Sequence, residues 1–291
     1  MAAEKLSKEE FDEKYNWRDL PKVSNWIAYT YRAFMKLFWI FFIGFGAVIL
    51  AAIVFPAFKI FIHSKDRFRC TAQRFVSATF RFFMFLLKIS GIAKLLTDSR
   101  EEFRNMHSRI VVANHPSILD TVVLIALIPN ATVIAGEKYA KGVLGGVIKA
   151  CYIINSLDFD ELCRRCKESL DLGSNVIIFP EGTRTPRHGQ NSFKKGAARI
   201  ARATGANIIP VLIAGSDKFG LGKSNPFWSF NPVEQLIYHL IMLPEIDISE
   251  YVELTDPIAA KRITQKCSES IHNAADQYKK DHPLTRTVNN V

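Results

Sequence analysis

The alternation of apolar and polar positions divides the chain into three parts. Through residue 25 polar side chains dominate, and from Leu37 to Phe58 there are 22 consecutive residues without a charge. As a helix that run would cover about 33 Å, enough for a hydrocarbon core of about 30 Å. Gly44, Gly46 and Pro56 interrupt it, so a bent or re-entrant hairpin competes with a straight span. It does not read as a cleaved signal, because 36 mostly polar residues precede it. Basic residues flank both ends, Arg32 and Lys36 before it and Lys59, Lys65, Arg67 and Arg69 after it, so the distribution of positive charge assigns no orientation.

Beyond this run Arg67, Arg74, Arg81 and Lys88 recur every seven residues among Phe68, Phe75, Phe82, Phe83, Leu86 and Leu87. A helix drifts only about 20° per heptad, so the four cations form one slowly turning stripe. Such a helix suits a membrane interface, with phenylalanines down and cations at phosphate level. The alternative is an ordinary domain helix with a solvated basic edge; the adjacent apolar run favours the interface. Residues 1–25 thus read as a polar N-terminal segment and residues 26–96 as a membrane-associated helical motif.

From Ile110 onward short β-rich runs alternate with helical stretches. Strands are expected at Ile110–Ala113, Thr132–Ala135, Val176–Phe179, Ile208–Ile213 and within Gln235–Leu243. Helices are expected at Leu119–Ile128, Tyr139–Lys149, Asp160–Leu172, Phe193–Thr204 and Ala259–Lys280. This alternation predicts an α/β domain with a largely parallel central sheet flanked by helices. Ligands in such sheets collect beyond the carboxyl ends of the strands.

Composition sharpens the choice of partner. The 291 residues carry a formal charge of +10. Residues 59–109 hold 11 Lys/Arg against 4 Asp/Glu, an excess of +7 just after the most apolar run. That placement points to lipid head groups; no nucleic-acid recognition motif is present, and nucleic acid ranks last. The five cysteines are scattered, which suits a reducing compartment. Cys163 and Cys166 form a CxxC inside a charged helical run with no second pair nearby, so no metal site is expected.

Two strings at strand ends carry the candidate chemistry. In Asn114-His115-Pro116-Ser117-Ile118-Leu119-Asp120 a base and a carboxylate stand five positions apart. If the first turn of the next helix folds back, Asp120 can take the proton of one ring nitrogen and leave the other basic. Phe179-Pro180-Glu181-Gly182-Thr183-Arg184 offers a glycine hinge whose backbone N–H groups can be exposed and a guanidinium suited to phosphate. Lys194 and Lys195 follow near the start of a helix, where anions are favoured. There is no GxSxG and no protein nucleophile, so the substrate's own hydroxyl or amine would attack.

These strings resemble the glycerolipid acyltransferase superfamily, the group that includes lysophosphatidic acid acyltransferases. NHPSILD is similar to its NHxxxxD motif and FPEGTR to its motif of that sequence. Ile209-Pro210-Val211-Leu212-Ile213 resembles its later apolar-Pro-Val strand, and Ser192-Phe193-Lys194-Lys195-Gly196-Ala197-Ala198 the segment before it. The resemblance implies that residues 97–291 are an α/β acyltransferase domain. It implies transfer of a fatty acyl group from acyl-CoA or acyl-ACP to a lipid such as 1-acyl-glycerol-3-phosphate, with no metal and no cofactor beyond that co-substrate. Carried over by position, His115 is the base, Asp120 its partner, and Asn114, Glu181, Gly182, Thr183, Arg184 and Lys194 bind substrate. Membrane lipids and acyl-CoA or acyl carrier protein are the implied partners, at the cytoplasmic face of a membrane such as a bacterial inner membrane. One departure stands out: the family often has an arginine for the acceptor phosphate between its two main motifs, and Cys151-Tyr152-Ile153-Ile154-Asn155-Ser156 has none. Lysophosphatidic acid therefore competes with a glycolipid or aminolipid as acceptor, and an acyl thioesterase or a non-catalytic lipid-binding protein remain the other readings.

Overall fold

The structure, a computed structural model, describes residues 7–155 and 158–282. In chain order its elements are α1 (Lys8–Tyr15), α2 (Trp26–Ile49), a π-helical turn (Leu50–Val54), α3 (Phe55–Phe61), α4 (Lys65–Ile89), β1 (Ala93–Leu96), α5 (Arg100–Asn105), β2 (Ile110–Ala113) and α6 (Asp120–Leu127). There follow β3 (Ala131–Ala135), α7 (Glu137–Ala140), α8 (Gly145–Cys151), β4 (Ile153–Ile154), α9 (Phe159–Asp171), β5 (Asn175–Ile178), α10 (Gly196–Thr204), β6 (Ile208–Gly215), β7 (Leu236–Met242), a 3-10 turn (Ile248–Tyr251) and α11 (Asp256–Asp281).

Seven strands form one sheet in the order β1-β7-β6-β2-β5-β3-β4. Five of them, from β6 to β4, run parallel; β7 is antiparallel to β6, and β1 is parallel to β7. Strands buried on both faces read as continuous apolar runs, as β2 and β5 do. Along β2, Val111 and Ala113 enter the apolar core on the side of α4 and α6. Ile110 and Val112 enter the core shared with α9, α10 and α11 on the other side. This two-sided packing is the α/β architecture expected from the alternation of runs.

Local differences from expectation have physical reasons. The helix expected over Tyr139–Lys149 is split into α7 and α8: Gly145 packs so tightly on the Ala140 carbonyl that a Cβ would lie 2.4 Å from its oxygen. The helix expected from Phe193 begins at Gly196, and just before it the Lys194 N–H donates to the Pro180 carbonyl at 2.9 Å. β1, which lies inside the stretch expected to be a membrane motif, is a strand of the sheet, paired with Leu236–His239.

The apolar run lies in a helix that continues from Trp26 to Phe61, passing straight through Gly44 and Gly46. Its irregularity is the π-turn just before Pro56; proline lacks an N–H, and the wider register absorbs the lost bond. It is long and apolar enough to cross a bilayer and mostly exposed. α4 returns beside it: the Tyr31 hydroxyl donates to the Ser90 carbonyl at 3.1 Å, Trp39 packs on Phe83, and Phe58 on Phe75. α4 is also a core layer of the domain, with Ala72, Val76, Phe83 and Leu87 buried. The four cations Arg67, Arg74, Arg81 and Lys88 are all exposed, as are Phe75, Phe82 and Phe85 of the same helix, an arrangement that suits either a membrane interface or a solvated edge. Lys36, buried inside α2, donates to the carbonyls of Phe227 and Ser229 at 2.6 and 2.7 Å and ties the apolar helix to the loop after β6.

Candidate active site

β2 ends at Ala113, and the chain turns at once into the loop that carries His115. Asp120 opens α6, where a carboxylate complements the helix dipole. Its Oδ2 accepts from His115 Nδ1 at 2.9 Å and from the Ser117 N–H at 2.7 Å, and its Oδ1 accepts from the Ser117 hydroxyl at 2.6 Å. Ser117 in turn meets the Tyr238 hydroxyl at 2.9 Å. Asp120, Ser117 and Tyr238 are completely inaccessible to solvent. Behind them Lys218, also buried, donates to the carbonyls of Ala214, Ser216 and Ile237 and lies over the Tyr238 ring. Burial lowers its ammonium to about 8 and drives the Tyr238 phenol well above its ordinary range.

Accepting at Nδ1, Asp120 fixes the tautomer so that Nε2 is the basic nitrogen. The imidazole stacks on Phe179, with ring centroids 4.2 Å apart. Among the described residues no protein group bonds to Nε2. Its surroundings are a cavity of about 530 Å³ reached by His115, Phe179 and Arg184 and lined mainly by apolar side chains of α2, the π-turn, α4 and α8. That volume lies in the range of about 300–1,000 Å³ common for small-molecule sites. α8 approaches the π-turn so closely that a Cβ at Gly146 would lie 2.3 Å from the Ala51 Cβ.

The second loop is sewn to the first. The His115 N–H donates to Thr185 Oγ1 at 2.8 Å and to Glu181 Oε1 at 3.2 Å, while the Thr185 N–H donates to the His115 carbonyl at 2.8 Å. Glu181, buried, also accepts from Thr185 Oγ1 and from Asn191 Nδ2. Burial raises its carboxyl above the ordinary value, and the hydrogen bonds from Thr185, Asn191 and His115 offset part of that rise. Gly182 has φ +66°, and the Lys194 ammonium lies against it, 2.6 Å from where a Cβ would stand. Arg184 uses Nη1 on the carbonyls of Leu221 and Gly222, at 3.1 and 2.6 Å.

Of the residues singled out in the sequence, His115 and Arg184 thus meet at one cavity, with Asp120 buried behind His115 and Gly182, Thr183 and Lys194 along the second loop. Two have other employment. Asn114, expected to bind substrate, gives and takes one hydrogen bond each with the Ile213 backbone, at 3.0 and 2.7 Å, and so extends the β2–β6 ladder; buried, it has no face toward the cavity. Glu181 points inward and joins the two loops. Sequence reasoning missed the third loop, Ser216 to Asn225. The Ile118 N–H donates to the Leu221 carbonyl at 3.1 Å, and Lys223 Nζ donates to Thr183 Oγ1 at 3.1 Å. Its signal was available: a lysine in the glycine-rich run Phe219-Gly220-Leu221-Gly222-Lys223 just after the strand Ile208–Gly215. It also missed α1, whose Tyr15 hydroxyl donates to the Arg184 carbonyl at 3.1 Å.

The Acyltransferase family model matches residues 95–214, which contain both motif loops. Among its relatives, a chloroplastic 1-acyl-sn-glycerol-3-phosphate acyltransferase of Arabidopsis thaliana is 28% identical over 48% of this chain and 41% of its own length. The 1-acyl-sn-glycerol-3-phosphate acyltransferase of Salmonella typhimurium is 27% identical over 50% of this chain and 60% of its own. The chain thus spans roughly two-fifths to three-fifths of the length of these two relatives. The crystal structure of a 1-acyl-sn-glycerophosphate acyltransferase from Thermotoga maritima superposes with a TM-score of 0.63 at 19% identity, covering 85% of this chain and 97% of that one, and shares the fold.

Proposed function

We propose that this protein is a membrane-bound acyltransferase that moves a fatty acyl group from a thioester, acyl-CoA or acyl-ACP, to the hydroxyl of a lysophosphatidic acid-like lipid. The observation that carries the reading is His115, held from behind by Asp120, facing the same apolar cavity that Arg184 reaches. In the reaction His115 Nε2 accepts the acceptor's hydroxyl proton as that oxygen attacks the thioester carbonyl. The C–S bond then breaks as the Nε2 proton passes to the sulfur, so the thiol leaves and the neutral imidazole is restored. Such a base contributes about 10²–10⁴-fold. At about 0.8 kcal/mol per buried methylene the apolar cavity gives an acyl chain ample binding energy. Membrane attachment is supported by the long apolar helix and by the exposure of Phe41, Phe61, Phe227 and Trp228, 73, 82, 66 and 66% accessible. Aromatic residues in that condition suit a lipid interface.

The test uses purified protein in detergent with radiolabelled acyl-CoA or acyl-ACP and lysophosphatidate. Phosphatidate should accumulate with the native protein and fall by about 10²–10⁴-fold with His115→Ala, which should stay bound to vesicles. Undiminished transfer by the variant refutes the mechanism, and free fatty acid without acylated lipid refutes the transfer.

A further inference from the structure

We propose that Lys223 is the second cation of a phosphate-monoester site whose first is Arg184, and that together they hold the acceptor's head group where the family's usual arginine is missing. This inference rests on the acyl-transfer reading above. Asn155, at the position without arginine, is exposed at the sheet edge; its N–H donates to Ala135 and its side chain accepts from the Glu137 N–H. It offers no charge. Lys223 sits on the loop after β6 instead, bonded to the residue next to Arg184 and outside the lining of the apolar cavity.

Three observations place it there. Its Nζ donates to Thr183 Oγ1 at 3.1 Å, next in sequence to Arg184. Arg184 Nη1 is held by the carbonyls of Leu221 and Gly222, the two residues before Lys223, so the two cations are fixed on interlocked loops. α1 covers the ammonium with aromatic faces, Phe11 at 5.1 Å and Tyr15 at 4.6 Å, which orients it without neutralising it. Among the described residues no carboxylate forms an ion pair with either cation, and Glu181 beside them is turned to the His115 N–H, Thr185 and Asn191. Burial, then the positive charges of Arg184 and Lys138, lower the Lys223 ammonium from its ordinary value. Like charges held together without a counter-ion become favourable when a dianionic ligand arrives, and a guanidinium fork beside a point cation suits a phosphate monoester.

Such a phosphate could belong to the lipid acceptor or to coenzyme A, and binding measurements separate them. Lysophosphatidate, uncharged monoacylglycerol and coenzyme A are each titrated into the full chain in detergent, using native protein, Lys223→Met, Lys223→Arg and Phe11→Ala. Lys223→Met should weaken lysophosphatidate by about tenfold to a hundredfold, the loss of one hydrogen bond between charged partners, and leave the other two ligands unchanged. Lys223→Arg should retain most of the affinity. Phe11→Ala, which loosens α1 but keeps the charge, should cost no more than about fivefold. Unchanged lysophosphatidate binding by Lys223→Met, equal losses for monoacylglycerol, or a loss confined to coenzyme A overturns the proposal. Binding is read without turnover, so failure of His115→Ala to abolish transfer would sink the reaction and leave this result standing.

Discussion

The two halves of the site are built on opposite electrostatic plans. The dyad half is closed: Asp120 has three hydrogen bonds from within five residues of itself, and Ser117 and Tyr238 complete a network that excludes water. The cationic half is open: Arg184 and Lys194 come from the loop after β5 and Lys223 from the loop after β6, and all three are partly or wholly exposed and have no carboxylate partner among the described residues. A satisfied, dry network holds one geometry, which general-base chemistry needs. An uncompensated rim holds a latent attraction that only an anion can realise. The difference teaches which residues ought to fail through turnover and which through acceptor affinity.

The largest expected effect is at the dyad. Asp120→Asn should lower kcat by about 10²–10⁴-fold, because the amide no longer selects the reactive tautomer. KM for the acceptor should hardly change, and a KM effect equal to the kcat effect would erase the division between the halves. Lys223→Met comes next and should act in the opposite sense, on acceptor affinity with kcat largely kept.

Glu181 joins the two halves, so its loss should appear as stability. Glu181→Ala leaves the buried Thr185 hydroxyl without its acceptor and takes one of two acceptors from the His115 N–H and the Asn191 amide, and should cost about 1–3 kcal/mol in denaturant unfolding. The pH dependence follows from the raised folded value of this carboxyl. Its protonated form is favoured in the native state, so the stability it contributes is complete below the unfolded pKa and is lost as pH rises through the folded one. The gap between native protein and Glu181→Gln should therefore narrow as pH increases through that window. A widening gap would mean that the native state prefers the ionised form.

The smallest effect belongs to Tyr238→Phe. It removes one hydroxyl from Ser117, which still donates to Asp120, and should cost about 0.5–1.5 kcal/mol with less than about a tenfold loss of kcat. A loss as large as that of Asp120→Asn would make Tyr238 part of the reacting machinery.

Much of this was legible in the chain. Ile110–Ala113 as a strand, its turn into His115, and the return of Asp120 at the head of α6 are local events, spanning few residues and set by apolar runs and helix-start chemistry. The short edge strand Ile153–Ile154 was not legible, because two residues carry no periodicity. β1 was hidden for another reason: Ala93–Leu96 is only four residues long with Lys94 among them, and its partner Leu236–His239 lies far along the chain. Asn114 misled because a polar side chain beside a catalytic base looks like a ligand contact, whereas its amide replaces a backbone pair with a strand 99 residues away.

By itself the sequence determined the dyad, the α/β alternation and the apolar helix, since each rests on spacing within one stretch of chain. Only the tertiary structure decided where the charges face. Sheet order brings the loop after β6 onto the two motif loops, α1 folds its rings over Lys223, and a core packed on both sides of the sheet leaves the apolar cavity between α2 and α8. Hydrophobic periodicity records which side is buried but not what it is buried against, and contacts between distant segments are fixed by packing alone.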